Sequence, residues 1–409
     1  MTIRRTIFWL HLIAGIIAGL SIAVMCFTGV TLAFEKQLVT WSERDARQIE
    51  PPMGSAARLP VEELLARVRA VKPDAKPGSL TISSNPRSAV AVSLGRDATV
   101  FVDPYAGAVR RPASTRMHDF LHVMEDWHRF LALTGDHRPT GKLINGICNL
   151  AFFVLAATGL YLWIPRRWSW RSIRGVVWFQ RGLEGKPRDF NWHNVIGLWS
   201  APVLIVLTLT AVPISFRWGN ALVYRLVGEE PPARQGPPGT GSPAVELPAP
   251  TTGAQPLSRD AQFAAVRAAF PDWEQITLRL SVPGSGVPGA RITTSASAQR
   301  TDAVALAAEP ATFVVKTPPT WPRTATTTVT LNPFTGDVIR REAFSDQSAG
   351  RQLRSWTRFL HTGEALGWAG QLAAGAASLG GCFLVYTGLA LSWRRFFGKR
   401  GAKTPATAS

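Results

Sequence analysis

Three cysteines in 409 residues leave no disulfide framework and no ligand spacing for a structural zinc. Cys26, Cys148 and Cys382 all fall in apolar runs, where they read as small buried residues. No G-x-G-x-x-G element leads from a strand into a helix and no P-loop is present, so there is no evident site for NAD(P)H, FAD or ATP. H-E-x-x-H is also missing, which removes the simplest metallopeptidase chemistry. Acid is scarce: 27 Asp and Glu stand against 45 Lys and Arg, for a formal charge of +18. The basic residues cluster beside hydrophobic runs and form no recognisable groove-reading motif, so nucleic acid is not an expected partner.

What the chain does contain is written twice. With His11 set against His193, the next two dozen residues run in step without a gap: Gly15 meets Gly197, Thr28 meets Thr210 and Phe34 meets Phe216. With Asp103-Pro104 set against Asn332-Pro333, Arg129-Phe130-Leu131 falls on Arg358-Phe359-Leu360. In the same register Gly141 falls on Gly370, Gly146 on Gly375, and Thr158-Gly159-Leu160 on Thr387-Gly388-Leu389. Such repeats fix the architecture before any local reading. Each half is an apolar segment, a polar region and a second apolar segment.

Residues 7–34, 143–164, 195–216 and 367–393 are long, apolar and almost free of charge, and each is long enough to cross a hydrocarbon core of about 30 Å as a helix. The first follows Arg4 and Arg5 but is too long for a signal peptide and has no small-residue cleavage site before Phe34, so it reads as a retained span. The loop 165–190 carries Arg166, Arg167, Arg171, Arg174, Arg181, Lys186 and Arg188 against Glu184 and Asp189; Arg394, Arg395, Lys399 and Arg400 follow the last span. Positive-inside bias places these clusters and both termini in the cytoplasm, and the two polar stretches in a bacterial periplasm. The expected layout is a first span within 1–34, an outer domain with an interfacial helix at 35–140 and a second span at 141–164. A basic loop at 165–190, a third span at 191–216, a second outer domain at 217–364, a fourth span at 365–393 and a tail at 394–409 complete it.

In the outer regions, helical periodicity over 60–71 and 257–270 is followed by strand-like alternation at 79–83, 89–94 and 99–102, then at 275–280, 290–294 and 326–331. Asp103-Pro104-Tyr105-Ala106-Gly107 and Asn332-Pro333-Phe334-Thr335-Gly336 close the two blocks as turns. Residues 231–256, rich in Pro and Gly, read as a flexible linker. The simplest fold is one helix against a small antiparallel sheet, twice: a membrane protein, mainly α with α+β extramembrane parts.

These blocks resemble PepSY domains. The frame around them, HLIAG, WHRFLALTG, TGLYLWIPRR, NWHNVIGLW, RFLHTGEALG and TGLALSWRR, resembles the PepSY-associated transmembrane family over nearly the whole chain. The resemblance implies four spans in two tandem repeats, each enclosing a periplasmic PepSY-like domain. It also implies a place among bacterial inner-membrane proteins associated with iron acquisition, some of them ferric-siderophore reductases with two b-type haems.

Seven histidines are present: His11, His118, His122, His128, His137, His193 and His361. His11 and His193 are repeat-equivalent, at the cytoplasmic ends of spans one and three, where an ionisable side chain is costly and reads as functional. One turn deeper on the same face stand Gly15 and Gly197, which remove side-chain bulk where a flat macrocycle would lie. A lone interfacial histidine bonded to a carbonyl is ordinary; a symmetric pair with matched glycines points to bis-imidazole haem ligation, which suits electron transfer. On the outer side, His361 has Ala132 as its repeat counterpart, with His128 one helical turn earlier. His128 with His361 is the favoured outer pair, and His122 competes for the same role. For His128 to come back to the membrane, the helix over 118–133 must be separated from span two by Gly135, Pro139 and Gly141. Arg129 and Arg358 could pair with haem propionates or with lipid headgroups. C-x-x-C-H is missing, so any haem is b-type and non-covalent.

The expected function is therefore an oxidoreductase-like di-haem b protein of the inner membrane. His11, His193, His128 and His361 would be the axial iron ligands, a cytoplasmic reductase or quinol the electron donor, and a ferric siderophore or chelate the acceptor. The acceptor rests on resemblance alone. The alternative, from another class, is a haem-free membrane-anchored binding or sensory protein that regulates a periplasmic partner. A transporter ranks last, because the spans contain no mid-membrane break and almost no charge.

Overall fold

The structure, a computed structural model, describes residues 2–54, 57–95, 98–165, 169–232, 255–280, 310–318 and 320–398. Most of the Pro/Gly-rich linker (233–254), the expected strand 290–294, and Arg166, Arg167, Trp168, Lys399 and Arg400 lie outside the described residues. In chain order the helices are α1 (Ile3–Leu32), α2 (Glu35–Ser42), α3 (Arg44–Arg47), α4 (Val61–Val71), α5 (Arg116–Phe130) and α6 (Arg138–Trp163). They continue with α7 (Trp170–Val177), α8 (Gly185–Ser215), α9 (Arg217–Arg225), α10 (Arg259–Ala269), α11 (Ala349–His361) and α12 (Trp368–Phe396). The strands are β1 (Ser79–Ser83), β2 (Val90–Ser93), β3 (Thr99–Val102), β4 (Val109–Arg110), β5 (Gln275–Arg279), β6 (Ala311–Lys316), β7 (Thr327–Leu331) and β8 (Val338–Glu342). The chain divides into two units. One takes in the chain up to Glu35, Phe120–Val223 and the chain from Trp356; the other is Lys36–Asp119 with Tyr224–Ser355.

In the first unit α1, α6, α8 and α12 are long and apolar enough to cross a membrane. The shortest of them, α6, has 26 residues; at 1.5 Å per residue that is about 39 Å, more than a hydrocarbon core requires. α1 and α8 each pack against both α6 and α12. The repeat is visible in this packing. A Cβ on Gly146 of α6 would lie 2.7 Å from Phe216, and one on the equivalent Gly375 of α12 would lie 2.8 Å from the equivalent Phe34. Glycine is required at both because a phenylalanine ring fills the space of the missing side chain.

α8 begins at Gly185, well before the expected start of span three, so Arg188 and Asp189 are helical. Pro187 allows this because the first turn of a helix needs no intrahelical N–H donor. Asp189, 1 % exposed, is bonded by Arg188 at 3.0 Å and by Arg394 of α12. The break between α5 and α6 falls on Leu131 and Ala132, both left-handed, and on Gly135. Pro139 sits in the first turn of α6, and Gly141 is interior to it, where a Cβ would collide with the Phe130 carbonyl.

The second unit is an extramembrane β-sheet domain. Among the described residues its strands form one antiparallel sheet of eight, in the order β4-β3-β2-β1-β5-β6-β7-β8. The two halves thus share one continuous sheet instead of building two separate domains. They join at β1 and β5, where Ser79 pairs with Arg279 and Ser83 with Gln275, and where the Thr81 and Thr277 hydroxyls lie 2.9 Å apart. The sequence reading lacked β4, β6 and β8. β6 sets Thr312, Phe313, Val314 and Val315 side by side with little polar alternation to mark it, and β4 has only two residues.

α4 and α10 bury their apolar stripes against this sheet: Leu64, Leu65, Val68, Phe263 and Val266 meet Leu80, Val92, Ile276, Phe313 and Val315. Asp260 at the start of α10 accepts a 2.8 Å bond from the Val61 N–H at the start of α4. Asp103 Oδ1 accepts from the Tyr105 and Ala106 N–H groups, and Asn332 Oδ1 from Phe334, so the two repeat-equivalent turns are held alike. Phe313 is fully buried and stands edge-on to Phe263 with 5.1 Å between ring centres. Phe313→Ala is expected to destabilise the sheet unit by about 3–5 kcal/mol, read as an earlier onset of proteolysis at residues 36–119 on heating. The exposed Phe120→Ala should leave that onset unchanged.

Candidate functional site

Each half of the membrane unit brings a histidine to each end of the bundle, and the rings meet in pairs. His11 of α1 and His193 of α8 stand 6.4 Å apart, centre to centre, with their planes at 85°. His128 of α5 and His361 of α11 stand 6.2 Å apart at 50°. His122 is exposed on α5 and belongs to neither pair. His118 Nε2 is bonded to the buried Glu43 at 2.8 Å, and His137 is exposed.

Hydrogen bonds fix each ring's tautomer. His11 Nδ1 lies 2.9 Å from Thr158 Oγ1, and that hydroxyl is 2.6 Å from the Val154 carbonyl one turn back on its own helix. A threonine has one hydroxyl proton. Given to Val154, it leaves the oxygen to accept from the ring, so His11 carries its proton on Nδ1. His193 repeats the arrangement with Thr387 at 2.9 Å, which donates to Phe383 O at 2.8 Å. His128 does so with Thr28 at 2.9 Å, which donates to Val24 O at 2.7 Å. His361 Nδ1 donates directly to Leu207 O at 2.9 Å. All four imidazoles are therefore Nδ1–H tautomers whose Nε2 is an unprotonated acceptor.

These threonines were not singled out as ring partners, although the sequence carries the signal. Thr28-Gly29, Thr158-Gly159 and Thr387-Gly388 are the same dipeptide at corresponding places. In each, the threonine takes Nδ1–H while a Cβ on the glycine would stand 3.5 Å from the ring's Cε1. The fourth place has Thr210-Ala211, and there His361 turns to a carbonyl instead. Gly15 and Gly197 are less closely engaged: a Cβ there would meet Leu155 at 3.8 Å and Leu384 at 3.6 Å.

On the outer side, Asn145 Nδ2 donates to the His128 carbonyl at 2.8 Å. Burial, and then the neighbouring His361, push His128 down to about 4; burial likewise lowers His361. Arg129 is paired with Glu125 one turn back on its own helix, and Arg358 lies over the Phe359 ring at 5.7 Å.

The expectation of two haem b groups is corrected by this arrangement. Among the described residues no group of three or more His, Cys, Asp or Glu side chains gathers where a metal ion could be held. Each end of the bundle supplies two imidazoles, and the Nδ1–H of each joins neighbouring helices. The propionate role of Arg129 and Arg358 falls with the haem.

A family model described as the PepSY-associated TM region matches residues 8–395. No curated protein matches the chain.

Thr387→Val removes the acceptor for a buried N–H and is expected to cost about 1–3 kcal/mol, seen as a lower thermal midpoint in detergent, while Thr387→Ser keeps it. The depressed value of His128 gives a second outcome. Released from its seat, the ring binds a proton below about 6.5, whereas seated it does so only near 4. The released state therefore holds more protons in this window, and stability present above pH 6.5 is lost as pH falls toward 4. The thermal midpoint should drop over that range, and His128→Gln should flatten the drop.

Proposed function

The chain belongs to the PepSY-associated transmembrane family, and from that premise we propose that it is a haem-free inner-membrane protein. It holds its sheet unit in the periplasm, where the unit binds a partner and regulates it. The basic residues of 165–190 and of the two termini lie on the cytoplasmic side in this reading, by the positive-inside bias. The ferric chelate, reductase and quinol expected for a haem conduit lose their carrier.

The observation that carries the reading is the path of α5 and α11. Each begins in the sheet unit and ends in the membrane unit. Each is tied to a span by one histidine, His128 to Thr28 of α1 and His361 to Leu207 of α8. A partner that strains the sheet unit pulls on these two helices, and beside the chain links from α5 to α6 and from α11 to α12 each is docked on another span by a histidine hydrogen bond worth about 1 kcal/mol. That is weak enough to be switched by binding. That no group of three or more His, Cys, Asp or Glu side chains gathers among the described residues supports a binding role over electron transfer.

Two measurements test the reading together. A photoreactive residue in place of Val338, exposed on the edge strand β8, is expected to cross-link to a discrete periplasmic protein in intact cells. The same residue at Trp178, after α7, should not. The detergent-purified protein, oxidised and then dithionite-reduced, is expected to be colourless and to take up no added haemin. Sharp low-spin bands with two haems per chain by pyridine haemochrome would overturn the proposal and restore the redox conduit.

A further inference from the structure

The third span does not simply end; it turns into α9. Phe216 is the one extended residue between Ser215 of α8 and Arg217 of α9, and its ring is set against Gly146 of α6. A Cβ on Gly219 would lie 2.8 Å from the Val212 carbonyl of α8, so α9 folds back tightly on the end of the span it follows. The bundle therefore fixes the depth of α9, at the end of α8 away from the basic loop 165–190.

At 3.6 residues per turn, positions four apart share a side of a helix. Trp218, Leu222 and Leu226, the last in the turn that closes α9, form one such strip and are 54 %, 46 % and 70 % exposed. Arg217, Ala221 and Arg225 form the strip beside it, with both arginines exposed. Gly219, Asn220, Val223 and Tyr224 are buried and make up the remaining side. The internal repeat provides a comparison within the same chain. Continued past Phe34, the register of His11 on His193 sets Lys36, Thr40 and Arg44 against Trp218, Leu222 and Leu226. Lys36, Thr40 and Arg44 are exposed as well. The same three places are thus polar in one half and apolar in the other, so the repeat itself does not require the apolar strip.

Three observations select lipid as its cover. The strip starts three residues after α8 ends, so it continues the surface of a span. The residue nearest the span is a tryptophan, whose ring favours the boundary between acyl chains and headgroups. The flanking strip is basic, and α9 has no Asp or Glu, which matches phosphates lying beside acyl chains.

We propose that α9 is an interfacial anchor that binds anionic phospholipid in the leaflet opposite the basic loop. Trp218, Leu222 and Leu226 enter the acyl-chain boundary. Arg217 and Arg225, about 12 Å apart along the helix, each take a headgroup phosphate. Lipid is then a ligand of the second half and not of the first, and transfer into detergent removes it.

The test uses the full-length protein in nanodiscs of phosphatidylethanolamine and phosphatidylglycerol, with a benzophenone-bearing residue in place of Leu222 or of its repeat equivalent Thr40. Both side chains are exposed, so neither replacement disturbs packing. After illumination, intact-protein mass is expected to show phospholipid adducts at Leu222 and several-fold fewer at Thr40. A larger share of phosphatidylglycerol should raise the yield at Leu222, and Arg217→Glu combined with Arg225→Glu should abolish that rise. No lipid adduct at Leu222, equal yields at the two positions, or cross-linking of Leu222 chiefly to a second copy of the chain would overturn the proposal. A yield indifferent to phosphatidylglycerol would overturn its preference for anionic lipid. Lipid adducts at Leu222 and protein cross-links at Val338 are separate readouts, so either idea can fail alone.

Discussion

A polar group inside a hydrocarbon layer has no water to turn to, and every buried donor and acceptor must find its partner within the protein. This constraint governs the membrane unit more than any single contact. The threonines of the spans return their hydroxyl protons to their own helices, as Thr28, Thr158, Thr208, Thr210 and Thr387 all do. The oxygens of Thr28, Thr158 and Thr387 then receive the Nδ1–H of a histidine from a neighbouring helix. Asn149 donates to Thr208 O, and Gln371 to Ala33 O, so amides close two further gaps between helices. The bundle is held in register by a sparse set of directed bonds laid across apolar packing that would otherwise tolerate sliding.

Much of the architecture was legible in the amino-acid order, because hydrophobic length and internal repetition are coarse signals that survive local irregularity. The four spans, the helices α4 and α10, the turns at Asp103 and Asn332 and the pairing of His11 with His193 and of His128 with His361 are of this kind. The joining of β1 to β5 was not legible. It depends on edge strands from two distant segments finding each other, and nothing in either strand's own pattern records its partner. The seat of each histidine was half legible: the Thr-Gly dipeptides repeat, but only coordinates show which ring each one faces. Haem follows in the sequence from paired histidines, their matched glycines and the family resemblance, none of which distinguishes a ligand pair from a pair of struts.

Binding role and membrane architecture meet in α5 and α11. Among the bonds that tie their far ends to the spans are His128 to Thr28 and His361 to Leu207, which use groups whose strength depends on proton or neighbour. A domain fastened in this way responds to small forces, since about 1.4 kcal/mol changes a two-state population tenfold. The rest of the bundle, with glycine-mediated contacts such as Gly146 on Phe216 and Gly375 on Phe34, has no comparable slack.

The β1–β5 seam bears on ancestry. Among the described residues each half supplies four strands, and the inner edge of its innermost strand is paired with its counterpart from the other half. A half made alone would present that strand as an open edge, and an open edge recruits whatever matches it. The best match is a second copy of itself, turned about a twofold axis, which is the relation of Ser79–Arg279 to Ser83–Gln275 in the present register. The chain thus has the form of a homodimer whose two subunits were fused, with the former subunit interface preserved as the middle of its sheet.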